Sequence, residues 1–130
     1  MEGELFLLDT HTVVWALAWP ERLSHAARAA IETGLIAVSV ASYWEMINKK
    51  GRATAPIAEP ASWWRQYVIR REIPMFPIRF EHVARLETME WSPPPDPYDR
   101  ILCAQALVEG ATLITADRTI RANQTVPTLW

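Results

Sequence analysis

Cysteine is almost absent from this 130-residue chain, and the one present, Cys103, sits in the apolar run Ile101-Leu102-Cys103-Ala104. That excludes a disulfide framework and a cysteine zinc site, and it reads the thiol as a small buried core residue. Long apolar stretches are missing too: the longest, Val13 to Trp19, is far too short to cross a bilayer. The start, Met1-Glu2-Gly3-Glu4, is acidic where a secretory signal would be basic, so the expected compartment is cytoplasmic. Nor is there a surplus of positive charge. The formal net charge of −2 gives no global attraction to nucleic acid, so any such contact has to come from a local patch or from bound cations. Internal repeats, low-complexity tracts and linker-like segments are also lacking, which leaves one domain spanning residues 1–130 as the expectation.

What the chain does have is hydrophobic residues at half of its positions, enough to bury a core without staples. Seven tryptophans are unusual at this length, yet Trp15, Trp44 and Trp63 fall within amphipathic helical patterns, where large aromatics fill a core or a subunit interface.

Residues 5–8, Leu-Phe-Leu-Leu, form an apolar run ending at Asp9 and read as a buried parallel strand. A helix over 12–18 follows, then one capped by Ser24 and running to Thr33, with Gly34 as terminator. Strand two is 35–38. Ser39 caps a third helix that passes through Glu45 to about Lys50, and Gly51 ends it. Past Pro56 and Pro60 the pattern predicts a helix over 62–71, strand three over 73–78 and an amphipathic stretch over 80–89. Pro93-Pro94-Pro95 forbids helix, and Pro97 restarts one at a first helical position, ending near Gly110. Strand four is 111–115, a helical turn starts at Asp117, and a last strand covers 126–129. This alternation predicts an α/β fold: a central parallel sheet of four to five strands, covered by helices in a three-layer α/β/α arrangement.

In such a sheet, ligands bind beyond the carboxyl ends of the strands. Asp9, Glu45, Asp99 and Asp117 all fall at those places. Each alone has a plainer explanation, because aspartate is a favoured N-cap and acids in a first turn complement the helix dipole. Asp9 and Asp117 fit that, Ser42-Tyr43-Trp44-Glu45 fits a capping box, and Asp96-Pro97-Tyr98-Asp99 is a cap signature with Asp96 as N-cap. Together the balance shifts, since carboxylates converging on one crevice repel one another and call for a cation. An all-oxygen set with no nearby cysteine and no zinc-like histidine spacing points to Mg²⁺ or Mn²⁺. The natural chemistry for such ions is phosphoryl transfer or phosphodiester hydrolysis.

The motifs Leu7-Leu8-Asp9-Thr10-His11, Ser39 to Glu45, Asp96-Pro97-Tyr98-Asp99-Arg100 through Ala106, and Leu113-Ile114-Thr115-Ala116-Asp117 stand in that order along the chain. Together they closely resemble the PIN-domain ribonucleases, most of all the VapC-type toxins of bacterial toxin–antitoxin pairs, and the resemblance extends to Val126-Pro127-Thr128-Leu129-Trp130 at the end. It implies a metal-dependent endoribonuclease leaving a 5′-phosphate and a 3′-hydroxyl, with transfer RNA a plausible substrate. It also implies a homodimer and a small cognate antitoxin that inserts a segment at the acidic groove. By position, Asp9 and Asp99 match the acids most directly tied to the metal, and Glu45 and Asp117 those completing the cluster or acting through water. Asp96 reads as a cap or a supporting residue. The sequence departs from the subgroup at Pro94-Pro95, where a histidine is frequent before the Asp-Pro pair.

Thr10 and Thr115 flank the expected site as residues that contact substrate or orient an acid, and Arg100 is placed to meet a substrate phosphate or pair with an acid. Lys49, Lys50, Arg52, Arg118 and Arg121 are candidates for a rim that binds a phosphate backbone. His11, His25 and His82 show no metal-ligand spacing and receive no catalytic role. An aspartyl-phosphate phosphatase would need an acid two positions after Asp9, where His11 stands. The rival from another class is a non-catalytic PIN-fold module for protein or RNA binding, with the acids serving only as helix caps.

Overall fold

The computed structural model describes residues 4–130, so the acidic start at Met1-Glu2-Gly3 lies outside the described residues. In β1 (Leu5–Leu8) the pleat sends Phe6 and Leu8 into one buried cluster and Leu7 into the other. A strand buried on both faces needs helices on both. On the Phe6 and Leu8 side these are α1 (Thr10–Ala18), α2 (His25–Thr33) and α4 (Pro60–Trp64), which supply Val13, Val14, Ala27, Ala30 and Trp64. On the Leu7 side, α6 (Pro97–Glu109) and α7 (Arg118–Asn123) supply Ile101, Leu102, Cys103, Ala106 and Ile120. Leu7 has no exposed surface, and truncating such a leucine to alanine costs about 2–5 kcal/mol.

With β2 (Leu35–Ser39), β3 (Met75–Phe76), β4 (Thr112–Ile114) and β5 (Thr128–Leu129), the sheet is parallel throughout, in the order β3-β2-β1-β4-β5. Strands are added in one direction from β1 to β3 and in the other from β4 to β5. The border between β1 and β4 is therefore the switch point where such sheets open a crevice. The α/β/α layering and parallel sheet match the expectation.

Several boundaries move. Strand three shrinks from the expected 73–78 to Met75–Phe76, because Pro74 and Pro77 on either side have no N–H to give a ladder. The helix expected over 62–71 starts at Pro60 as α4 and continues as a π turn over Arg65–Ile69. The stretch 80–89 is α5 (Phe80–Arg85) followed by a 3₁₀ turn at Leu86–Thr88. Strands four and five are each shorter than expected. Gly110 ends α6 in the left-handed region at φ 67°, whereas Gly34 after α2 is extended. Gly34 is required for space instead, since a Cβ there would collide with the Phe6 ring.

Candidate active site

Among the described residues, five helices open on a side-chain N-cap: Asp9 for α1, Ser24 for α2, Ser39 for α3 (Val40–Lys49), Asp96 for α6 and Asp117 for α7. Because Ser39 caps α3, Ser42 lies inside the helix and the Ser42–Glu45 capping box does not form. Capping and site roles are compatible, because a carboxylate caps with one oxygen and keeps another. Asp9, Glu45, Asp96, Asp99 and Asp117 line one pocket of about 670 Å³, together with Thr10, His11 and Lys49.

Asp9 is buried. Its Oδ1 accepts from Thr12 N at 2.9 Å and its Oδ2 from the Thr115 hydroxyl at 2.5 Å. Burial pushes the Asp9 carboxyl above the ordinary range, and the bonds from Thr115 and Thr12 pull against that rise. Thr115 Oγ1 also accepts from Asp117 N at 3.0 Å, so one hydroxyl links the loop after β4 to the acid after β1. Glu45, also buried, receives the Thr10 hydroxyl at 2.6 Å on Oε1 and Lys49 Nζ at 2.6 Å on Oε2. Ser42 Oγ lies 3.0 Å from Thr10 Oγ1. One proton cannot serve both neighbours, so Thr10 gives its own to the carboxylate and accepts that of Ser42.

Asp99 is held differently. Its backbone N–H is capped by Asp96 Oδ1 at 2.9 Å, but its carboxyl forms no ion pair with any Lys, Arg or His among the described residues. Burial first, then the charges of Asp96, Asp9, Glu45 and Asp117, push it up to about 8. Cys103, one turn further along α6, is driven up to about 12 by burial and then by Asp99, Asp9 and Asp117, which keeps it an inert thiol in the core. Asp117 caps α7 through Oδ1, accepting from Ile120 N at 3.0 Å, and is otherwise exposed.

A pocket whose acids offer only carboxylate oxygens, with Asp99 outside any ion pair among the described residues, fits a hard divalent cation. Among the described residues, no three Asp, Glu, His or Cys side chains stand close enough to enclose an ion by themselves. An ion there would have to draw the rest of its ligands from water.

Thr10 and Thr115 are buried and donate their protons to Glu45 and Asp9, so each holds the direction of an acid. Arg100 is not brought to the pocket. Successive helical residues point about 100° apart, and Arg100 instead lines an apolar groove of about 710 Å³ with Trp44, Val83, Leu86, Met89 and Trp91. Its Nε is buried there without a partner. Of the expected basic rim, Lys50 turns away to Glu59 at 3.3 Å, Arg52, Arg118 and Arg121 are exposed, and Lys49 enters the pocket itself. That inward placement was legible in the Glu45–Lys49 spacing, since residues four apart meet on one helix face. His82 is fully buried between Arg79 N and Glu109, away from the acids.

A parallel sheet whose switch-point crevice is lined by acids from separate strand connections defines a class of fold and site, and the model of the PIN domain matches residues 6–124. The chain belongs to the PIN-domain family. Within it, the chain is 33% identical over 119 residues to Ribonuclease VapC22 of Mycobacterium tuberculosis, covering 91% of each. Among solved structures it is similar to a chain of the DNA-bound VapBC from Salmonella typhimurium, with a TM-score of 0.67, 15% identity and 97% of each chain covered. It is similar as well to a chain of a toxin-antitoxin complex from Klebsiella pneumoniae, with a TM-score of 0.60, 16% identity and 95% of each covered. At those identities the likeness is one of fold.

Proposed function

We propose that the chain is a divalent-metal-dependent endoribonuclease, the toxin of a toxin–antitoxin pair. The observation that carries this reading is the convergence of Asp9, Glu45, Asp99 and Asp117 on one pocket, with Asp99 outside any ion pair among the described residues. The similarity to a VapC ribonuclease supports RNA as substrate, and the toxin–antitoxin complexes among the structural neighbours support a small antitoxin as partner.

Asp99 and Asp9 would hold Mg²⁺ or Mn²⁺, with Glu45 and Asp117 completing the site through water. Such an ion, when bound, activates water and steadies the scissile phosphate. Thr115 and Thr10 fix the directions of Asp9 and Glu45, as hydroxyls behind ligating carboxylates do. Asp96 caps α6 and so sets where Asp99 starts.

The chain acts as a homodimer in this reading. The groove beside Arg100, lined by half-exposed Trp44 and Val83, is the apolar face a second copy would cover. No helix among the described residues is long and apolar enough to cross a membrane. The cytoplasm, where RNA and an antitoxin meet, is the compartment we assign.

The test is cleavage of total RNA by the purified chain. Wild type cuts with Mg²⁺ or Mn²⁺ and stops with EDTA, whereas Asp9→Asn and Asp99→Asn fold and do not cut. A folded wild type that cleaves no RNA with either metal would overturn the reading.

A further inference from the structure

Among the described residues, Lys49 is the one lysine or arginine that lines the acid pocket. It arrives there on the same helix as Glu45, one turn later, with Nζ 2.6 Å from Glu45 Oε2 and 3.6 Å from Asp96 Oδ2. The other oxygen of Glu45 already holds the Thr10 hydroxyl, so both are occupied by donors of the chain itself. The ammonium is placed rather than loose. It lies 5.7 Å from the centre of the Tyr98 ring, whose hydroxyl is bonded to Asn48 Nδ2 at 2.6 Å and which packs edge to face with Trp44. The aromatic support therefore comes from α3 and α6 together.

We propose that Lys49 is a tethered cation that occupies Glu45 in the metal-free chain, competes with the divalent ion for that carboxylate, and so sets how tightly the pocket takes metal. The inference rests on the metal reading above. A positive charge this near a dication repels it, and more strongly in a partly enclosed pocket than in bulk water. The pair can open from one side: the Lys49 side chain keeps 21% of its surface exposed while Glu45 keeps 5%, so the ammonium can swing out while the carboxylate stays in the pocket. Once displaced from Glu45, the ammonium stays on the pocket wall, where a phosphate of the substrate backbone is its natural next partner.

Mn²⁺ is titrated calorimetrically into wild type, Lys49→Met and Lys49→Arg at one pH and without RNA, and melting is followed with and without Mn²⁺. Lys49→Met is expected to bind Mn²⁺ about fivefold more tightly or better, because a repelling charge and a competing donor are both gone. Its melting temperature rises more on adding Mn²⁺ than that of wild type, and Lys49→Arg behaves as wild type. A Met variant that binds Mn²⁺ within about twofold of wild type, or more weakly, overturns the inference. Circular dichroism checks the fold, and Lys49→Gln replaces the Met variant if that one is unfolded. A wild type that takes no Mn²⁺ at all sinks the metal reading itself, and a wild type that takes it no less tightly than the Met variant sinks only the role of Lys49.

Discussion

On the wall of the pocket built by β1 and α3, each carboxylate oxygen of Asp9 and Glu45 meets a donor of the chain: Thr12 N, the Thr115 hydroxyl, the Thr10 hydroxyl and Lys49 Nζ. On the facing wall, built by α6 and α7, Asp117 gives one oxygen to its helix and Asp99 has no cationic partner among the described residues. The first wall is set by folding. The second holds a buried acid beside other acids that folding leaves in place: burial first, then the neighbouring charges, raise the Asp99 carboxyl to about 8. Strain of that kind concentrates at sites meant for something else to complete. The acids of the two walls should therefore respond in opposite ways to the same substitution.

The largest expected effect tests that contrast directly. Asp99→Asn and Asp9→Asn should each lower RNA cleavage about a hundredfold or more, since an amide is a poor ligand for a hard cation. Their stabilities should diverge. In metal-free buffer near pH 8.5, Asp99→Asn should melt above wild type, because it removes the repelling charge. Asp9→Asn also relieves a buried carboxylate, but its amide offers one acceptor oxygen to the two donors Thr12 N and Thr115 Oγ1, so it should be less stable than wild type by about 1–3 kcal/mol. Thermal melts of the two variants with EDTA check this, and a shift of the same sign in both would erase the distinction between the walls.

Thr115→Val comes next. The hydroxyl donates to Asp9 and accepts from Asp117 N, so its loss leaves a buried oxygen and a backbone N–H each short of a partner. A cost of about 1–3 kcal/mol is expected in urea unfolding, with cleavage reduced as Asp9 loses its aim. An unchanged midpoint would mean that water replaces the hydroxyl.

Asp9 is raised as well and adds to the same trend, but the pH dependence is clearest for Asp99. Its folded-state value, about 8, lies above its ordinary 3.8, so the folded chain holds this proton more tightly than the unfolded one. That contribution to stability is full below about pH 4 and is lost as pH rises through about 8. The metal-free melting temperature of wild type should fall over that window, the fall should flatten in Asp99→Asn, and Mg²⁺ should restore stability most at the alkaline end.

How much of this was legible depended on the range of the interaction. The caps Ser24, Ser39, Asp96 and Asp117 are local, each bonding an N–H two or three residues ahead, and spacing alone revealed them. The gathering of Asp9, Glu45, Asp99 and Asp117 was legible because parallel topology sends every strand end to one edge. The bonds Thr115 to Asp9 and Thr10 to Glu45 span 106 and 35 residues, and no local pattern encodes them. The turning of Arg100 into the apolar groove depends on how α6 packs against α5 and α3, which spacing does not fix. Strand three was misjudged in length because its apolar run hid the effect of Pro74 and Pro77 on the ladder.

The smallest expected effect is the stability change in Asp117→Asn. Asp117 is exposed, and the only hydrogen bond its side chain accepts within the described residues is from Ile120 N at 3.0 Å, through Oδ1. Asparagine presents the same oxygen at an N-cap and ranks beside aspartate there, so unfolding should shift by no more than about 0.5 kcal/mol. The charge, however, leaves the wall that Asp99 shares, which should slow cleavage and at the same time lower the Asp99 carboxyl toward its ordinary range, since Asp117 is among the charges that raise it. A metal-free melting curve that loses less stability at alkaline pH than wild type would show that relief. If Asp117→Asn instead costs more than about 1 kcal/mol, the negative charge is serving the dipole of α7, and this acid belongs with the self-sufficient wall of Asp9 and Glu45.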